Sequence, residues 1–424
     1  MQESNAIGDH EMAALKCRTC NGQNLEKVLS LGRQPLANSF LKADQLSMPE
    51  DKYPLDVVFC NDCYLVQLAD VVSPEILFKN YLYIPSVSDT LRLHFAGLAR
   101  QCVESFRLSE SSLVIDIGSN DGTLLGAFKE YGLPILGVEP ASNIATLARS
   151  RGIDTINEFF SKNLALKIRQ EKGTAKIICA TNVFAHVNDL DDFMQSVKIL
   201  LDKDGVFVIE VPYLVDLIEK TEFDTIYHEH LSYFSIHPLV EFLRQFDMEI
   251  YDVSRISIHG GSIRLLIRHR RQDSSNSPAV ERLVRLERKR GLFSFETYLE
   301  FANSVQLIRN ELTDLLSSLR HQGKRIAGYG APAKGTVLLN YCDICKDVIE
   351  YVVDKSPYKQ GLYVPGVRIP VYPVEKLVEN APDYTLLLAW NFADEIFEQQ
   401  MQYQQRGGRF IVPIPKPQIV QCAR

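Results

Sequence analysis

The sequence has no excess of positive charge. Its 424 residues carry 46 Lys and Arg against 53 Asp and Glu, a formal net charge of −7, with no basic block. A protein whose main task is to hold nucleic acid by its phosphates needs the opposite balance, so no nucleic-acid partner is expected. No apolar run approaches the ~20 residues that cross a bilayer, so no membrane partner is expected either. The stretch MQESNAIGDHEMAALKC is polar and acidic and lacks the charged start and apolar centre of a signal peptide. There is no internal repeat and no low-complexity segment. What remains is an ordinary soluble protein, 46% hydrophobic and 23% charged, expected in the cytoplasm. Thiols stay reduced there, so the nine cysteines read as metal ligands or buried apolar residues rather than disulfides.

Four of those cysteines fall within the first 63 residues, as Cys17-Arg-Thr-Cys20 and Cys60-Asn-Asp-Cys63. Two thiolates three residues apart can grip one ion from a tight turn, and two such pairs supply the four soft ligands of tetrahedral zinc. The alternative, four buried free thiols, is weakened by the polar, core-poor sequence around them. The gap of 39 residues between the pairs exceeds the ~15–20 of a compact zinc ribbon, so an insert is expected. With all four positions filled by protein the zinc is structural. A further pair, Cys342 and Cys345, has the same spacing but no partner pair, only Cys422 far along the chain, and reads as buried helical cysteines.

From about residue 110 short Val- and Ile-rich runs (SLVIDIG, PILGVEP, KIICATNVF, GVFVIEVP, IRLLIRH) alternate with segments of helical length. That is the pattern of a doubly wound α/β sheet. A charged stretch near 280–322 reads as one or two connecting helices, after which the alternation restarts (RIAGYG, DVIEYVVD, TLLLAW, RFIVPIP). The expected organisation is a zinc domain over 1–75, a central α/β domain over 76–285 and a second α/β domain over 286–424.

Asp116-Ile-Gly118-Ser119-Asn120-Asp121-Gly122 follows the first apolar strand and opens a helix. Glycines at that junction let the backbone approach a ligand at the carboxyl end of a parallel strand. Asn120 stands where a dinucleotide fingerprint needs its second glycine, so no close-packed pyrophosphate turn is expected. Glu139 ends the second strand, where a carboxylate can accept the hydroxyl protons of a ribose. An adenosine pocket without a diphosphate resembles that of S-adenosylmethionine (SAM) methyltransferases. Asn182, after the strand KIICAT, would line the methyl-donor end, and Phe159 or Phe160 would stack on adenine.

The segment Asp224-Thr-Ile-Tyr227-His228-Glu229-His230-Leu-Ser-Tyr-Phe-Ser235 concentrates titratable groups in an apolar stretch. Its spacing is not that of H-E-x-x-H zinc ligation. His186 arrives separately, just beyond Asn182. Two histidines, a carboxylate and a tyrosine beside a methyl donor suit proton removal and oxyanion stabilisation. A lone histidine is more often structural, and that reading is preferred for His228.

The four cysteines, DIGSNDG with VEP, YHEHLSYFS and AGYGAPAKG, in that order, resemble the nucleotide-sugar C-methyltransferases of deoxysugar biosynthesis, of the ketosugar C-3 type. The likeness runs over nearly the whole chain. It implies SAM as cofactor with a structural zinc, a catalytic base on His230 with Tyr227 and Glu229 alongside, and catalytic roles for His186 and for Tyr81 in NYLYIPSVS. A carbon beside a ketone is too weak an acid for a histidine of pKa ~6.5 unless the enolate is stabilised as it forms. His230 would take the proton next to a 4-keto group, Tyr227 or His186 would donate to the oxyanion, and Glu229 would orient His230.

In Arg325-Ile-Ala-Gly328-Tyr329-Gly330-Ala331-Pro332-Ala333-Lys334-Gly335 the glycine spacing is close to a dinucleotide fingerprint, with Asp354 ending the next strand. Alone it would suggest an NAD-dependent oxidoreductase, the alternative enzyme reading; a zinc scaffold without catalysis is the third. Pro332 and Lys334 favour holding a phosphorylated ligand by backbone amides and one cation. The resemblance implies a Rossmann-like domain gripping the nucleotide diphosphate, probed by Tyr329, Gly330, Ala331, Lys334 and Asp354. His259, before the strand IRLLIRH, is a candidate for facing the sugar, and a plain turn there is equally expected. Thymidine is the nucleoside this family usually takes, and a monomer is expected.

Overall fold

The computed structural model describes residues 15–78, 81, 83–271 and 277–420, so the N-terminal stretch through residue 14 and Cys422 lie outside the described residues. Two compact units are assembled from discontinuous pieces. One takes the chain up to Glu26, Val58–Val215 and Leu231–Phe293; the other takes Lys27–Val57, Asp216–His230 and Ser294 onward. Strands β1 (Leu25–Gln34) and β2 (Tyr53–Cys60) are where the chain leaves the first unit and returns to it.

In the first unit, β3 (Val66–Leu68) precedes the strands of the main sheet. These are β4 (Val114–Ile117), β5 (Ile135–Val138), β6 (Thr155–Ile156), β7 (Ala175–Thr181) and β8 (Leu201–Pro212). After the two-residue β9 (Ser232–Tyr233), which pairs antiparallel with β3, come β10 (Met248–Ile256) and β11 (Ser262–His269). The sheet order is β10-β11-β8-β7-β4-β5-β6. The run from β8 to β6 is parallel, and β11 and β10 add on antiparallel. Every residue of β4 is buried, as expected of a strand covered on both faces. β10 is not among the runs read from the sequence, because the half-exposed MEIYDVSRI is broken up by charged residues.

The chain winds outward from β4 to β6, then returns to β7 on the other side of β4. This creates a switch point at the carboxyl ends of β4 and β7, where open α/β sheets bind ligands. The DIGSNDG turn and Asn182 both fall there. Helix α1 (Asp89–Phe106) begins with the Ser88 side chain accepting from the Leu91 amide. Its apolar stripe Leu91, Phe95, Leu98, Ala99 and Cys102 is buried. From Phe95 onward that stripe joins a core with Leu124, Leu125 and Phe128 of α2 (Thr123–Lys129) and with Val114, Ile177 and Val208 of the sheet. Helices α3 (Ser142–Ser150), α4 (Lys162–Lys172) and α5 (Leu190–Leu200) follow β5, β6 and β7.

The charged stretch near 280–322 is two helices, α6 (Pro278–Lys289) and α7 (Phe295–His321), parted at Gly291 with φ +75°. α6 belongs to the first unit and α7 to the second. The second unit's sheet has the strands β12 (Ile326–Tyr329), β13 (Val352–Val353), β14 (Val371–Tyr372), β15 (Tyr384–Leu387), β16 (Arg409–Val412) and β17 (Gln418–Val420). They are ordered β14-β13-β12-β15-β16-β17 and are parallel except for β17. It is a second Rossmann-like sheet, with α8 (Ala333–Tyr341) following β12. Among the described residues no helix is long and apolar enough to cross a membrane.

Candidate functional site

The sulfurs of Cys17, Cys20, Cys60 and Cys63 all lie within 4.8 Å of one another. The Cys17–Cys63 pair is 3.4 Å apart and the Cys20–Cys60 pair 3.6 Å. Tetrahedral zinc with Zn–S bonds near 2.3 Å sets its ligand sulfurs about 3.8 Å apart, so the set fits the metal. The two turns are built alike. The Asn21 amide bonds the Cys17 carbonyl and the Tyr64 amide bonds the Cys60 carbonyl, at 3.0 and 2.8 Å. Asn21 and Tyr64 both adopt positive φ. Hydrogen bonds from Cys60 and Cys63 hold the Cys17 thiol far below its ordinary pKa, while the Cys63 thiol is driven up by the same contacts. The long gap between the pairs has a structural explanation: Lys27–Val57 folds with the second unit. Cys342 is buried where it caps the end of α8, but Cys345 is half-buried and lies beyond the helix, so the reading of buried helical cysteines fails for Cys345; both are free thiols.

At the switch point Asp116, next to last in β4, is buried, with Oδ1 lacking a hydrogen-bond partner among the described residues. Burial raises its pKa well above the ordinary value, with the charges of Glu139 and Glu210 adding to the shift. Ser119 Oγ is likewise buried and without a partner. Gly118 takes φ +64°, and a Cβ there would meet Val183 Cγ2 at 2.4 Å, so the turn admits only glycine. Glu139 accepts from the amides of Asn120 (2.9 Å) and Ala141 (2.8 Å), one on each carboxylate oxygen, leaving a lone pair on each. Burial raises its pKa and the two amides pull it back. A buried, unsatisfied carboxylate beside a second acid fits a cationic ligand rich in hydroxyl donors, and SAM is one.

Not every residue of that turn faces a ligand. Asp121 Oδ1 accepts from the Thr123 amide and hydroxyl, and Oδ2 accepts from Arg151 at 2.6 Å and from the Ser86 amide. Asp121 therefore braces the turn from within. Asn120, at φ +48°, donates from Nδ2 to the Tyr83 carbonyl and accepts the Asp121 amide. Asn182 sits at φ +56° just past β7, its amide bonded to the Glu210 carbonyl. Phe160 lies edge-on to Phe193, their centroids 5.3 Å apart. Glu210 is clasped by His94 (2.8 Å) and Arg264 (2.6 Å). Burial opposes its charge, but these partners hold its pKa below the ordinary value.

Removing the charge of Asp116 separates binding from stability. Asp116→Asn is expected to weaken SAM binding about 10–100-fold by calorimetry, the worth of one or two charge-assisted hydrogen bonds. Melting temperature should hold or rise. The folded carboxyl's pKa lies above its unfolded value of about 3.9, so wild-type stability falls as pH climbs past that value, and the variant should be spared this loss.

Tyr81 and His186 are brought onto one aromatic cluster of the first unit. Phe78 stacks on His186 (5.9 Å) and stands edge-on to Tyr81 (5.6 Å). Asn143 of α3 clamps the Tyr81 backbone, donating to its carbonyl at 2.8 Å. Desolvation takes the His186 pKa down to about 4, so its ring is neutral near pH 7 and can donate but makes a poor base. His259, at φ +55°, sits in the one-turn link between β10 and β11, where Ser262 Oγ bonds the Ile258 carbonyl.

The YHEH segment belongs to the second unit. His228, Glu229 and His230 are all buried. His230 Nδ1 lies 2.7 Å from the Thr225 carbonyl oxygen. A carbonyl only accepts, so Nδ1 carries the hydrogen and the ring's lone pair sits on Nε2, the form a general base needs. The Tyr227 ring lies against this ring at a tilt of 35°, centroids 4.0 Å apart. The Thr225 carbonyl thus orients the ring, and Glu229, the next residue back, accepts from Asn38 at 2.6 Å. His228 faces the Tyr53 carbonyl at 3.2 Å and the Tyr53 ring edge, and burial lowers its pKa.

In the GYGAPAKG turn the glycines answer to the protein itself. A Cβ on Gly330 would meet Ala389 Cβ at 2.7 Å, and one on Gly335 would meet Leu388 Cβ at 2.8 Å. Asp354 accepts from the Ala331 amide (2.6 Å) and the Ser356 amide (2.7 Å). The Tyr329 hydroxyl is buried against Gln400. Lys334 pairs with Glu222 at 3.5 Å and stands 5.0 Å from the centre of the Trp390 ring.

The sequence reading missed several residues here. Buried Lys359 donates to the Ala331 carbonyl at 2.7 Å and lies over Phe40. Its pKa is lowered by burial and raised in part by Asp354 and Glu229. Asn38, Glu222 and Trp390 were also unflagged, and Asp224 was named only as the start of the YHEH segment. Only Trp390 carried a signal, as the chain's single tryptophan. An open cleft of ≈ 410 Å³ in this unit, lined by Arg33, Lys52, Arg309 and Tyr341 among others, contains none of the expected site residues.

Three family models match the chain: "Putative zinc binding domain" over 17–78, "Methyltransferase domain" over 94–253 and "C-methyltransferase C-terminal domain" over 257–415. C-methyltransferase NovU of Streptomyces niveus is 38% identical over 405 residues, 96% of this chain and 96% of that protein. Among solved structures, a SAM-dependent methyltransferase from Anabaena variabilis is 16% identical, covering 42% of this chain and 86% of its own, with a TM-score of 0.35. The CcbJ methyltransferase from Streptomyces caelestis is 12% identical, covering 42% and 90%, with a TM-score of 0.33.

Proposed function

The chain belongs to the C-methyltransferase family, and on that premise we propose that it methylates C-3 of a nucleotide-linked 4-keto-deoxyhexose, with dTDP as the nucleotide, in branched deoxysugar biosynthesis. It is a SAM-dependent methyltransferase with a structural zinc site. The observation that carries the proposal is the bond from His230 Nδ1 to the Thr225 carbonyl, which leaves the basic lone pair on Nε2. O- and N-methyl acceptors already own lone pairs. A carbon acceptor must first be given one, and an imidazole set in its basic tautomer does that.

Asp116, Gly118, Ser119, Asn120, Glu139 and Asn182 would hold SAM, with Asp121 bracing their turn and Phe160 at the adenine end. Bound SAM supplies a methyl group made electrophilic by its sulfonium. His230 removes the proton next to the ketone. Tyr227 or neutral His186 would donate to the oxyanion that develops, such a donor being worth on the order of 10²–10³ in rate, and Tyr81 keeps the catalytic role that the resemblance implies. Glu229, tied to Asn38 and under the charge of Lys359, holds the segment in place. Tyr329, Gly330, Ala331 and Asp354 shape the nucleotide end, and His259 faces the sugar. The enzyme takes a small molecule as its partner, and works as a monomer in the cytoplasm.

The test is mass spectrometry on a panel of nucleotide 4-ketosugars in deuterated water. With SAM, one of them should gain a single CH2; without SAM, the protein should wash solvent deuterium into the carbon beside the ketone. Methylation on oxygen, with no carbon-bound hydrogen exchanged, would overturn the reading.

A further inference from the structure

We propose that Lys334 is a positioning residue for His230, holding the carbonyl that sets its tautomer, rather than a ligand for the substrate's phosphates. The inference rests on His230 being the base.

Lys334 lies in the first turn of α8, where a cation opposes the helix dipole. Its charge is answered by acids. Glu222 Oε2 is 3.5 Å away, with side-chain exposures of 13% for Lys334 and 4% for Glu222. Asp224, fully buried, also feels the ammonium. Burial raises the pKa of both acids, and Lys334 is the largest influence pulling either back down. Two carboxyls against one ammonium make a poor reception for a diphosphate, since any anion arriving here meets acid as well as cation.

The same acids frame the Thr225 carbonyl. Phe223–Thr225 is a single 3-10 turn that starts one residue after Glu222 and contains Asp224. Asp224 Oδ2 accepts from the Trp390 indole N–H at 2.6 Å, and Lys334 stands over that indole. Phe223 packs against Tyr341 at the far end of α8, centroids 5.4 Å apart. The turn is therefore gripped by Lys334 and Tyr341 from one helix and by Trp390 from the segment after β15. Its last residue presents the oxygen that holds His230 Nδ1. The GYGAPAKG and YHEH motifs, about 100 residues apart, become one device (the separation of Lys334 from His230 is 104 residues). A shift of about 1 Å in such a support can cost on the order of 100-fold in rate.

Lys334→Met separates the two roles. With saturating nucleotide ketosugar and no SAM, its solvent-deuterium exchange should fall about 10–100-fold, with KM within a factor of about 3 of wild type. Lys334→Arg should recover part of the exchange. A phosphate ligand would do the reverse: KM raised about 10-fold or more with exchange at saturation intact, which would overturn the proposal. Should Lys334→Met not fold, Trp390→Phe decides, because it removes the N–H to Asp224, along with the pyrrole ring, and keeps an aromatic ring beside Lys334. Exchange at saturation about 10-fold lower at unchanged KM supports the proposal, and wild-type exchange refutes it. Failure of the base reading is distinct: wild-type protein would then methylate without exchanging carbon-bound hydrogen.

Discussion

His230→Ala is expected to lower turnover about 10²- to 10⁴-fold, the usual worth of a positioned general base, while SAM affinity stays within about twofold. Solvent-deuterium exchange without SAM should fall by the same factor, since proton removal is the step deleted. His230 is buried and bonded through Nδ1 to Thr225, so an alanine there opens a small cavity. His230→Gln, closer in size but no base, controls for that loss. His186→Ala should act differently. Its ring is neutral because desolvation holds its pKa near 4, so deleting it removes a donor. The expected fall is about 10²- to 10³-fold. Equal exchange by His230→Gln and wild type would end the case for this imidazole as the base.

Loss of zinc is the second large effect. Replacing Cys60 with Ser, or chelating the wild type, should take bound metal from one equivalent to none by atomic absorption. Structural zinc contributes about 10–16 kcal/mol in small zinc modules, against about 5–15 kcal/mol for the net stability of a typical domain, so the two knuckles cannot persist without it. The loss should stay local. Hydrogen exchange is expected to rise across residues 15–26 and 58–68, while the seven-stranded sheet, with its own buried core, keeps its protection. Turnover should fall as well. Arg18, between Cys17 and Cys20, donates to the carbonyls of Leu68 (2.8 Å) and Leu231 (3.0 Å), and Leu231 is the residue after His230. Unchanged exchange across the knuckles after complete chelation would show that the four thiols stand without metal.

What could be read from the sequence was what short-range chemistry determines. Cysteines three residues apart already imply a shared ion, because the turn that joins them brings their sulfurs together. Apolar runs such as Val114–Ile117 imply buried parallel strands, and a glycine turn after one implies a ligand at the strand's end. The tertiary structure decided how far-separated residues pair. It placed Lys27–Val57 and the YHEH segment in the second unit, gave His230 the Thr225 carbonyl, and set Asn38 on Glu229 from 191 residues away. It also gave Lys334 to Glu222 and turned Asp121 inward. A charge on a helix or turn looks the same in the sequence whether it meets a substrate or a buried partner, since neither leaves a periodic trace. Only packing determines which groups lose water together, and that desolvation decides which charges must pair.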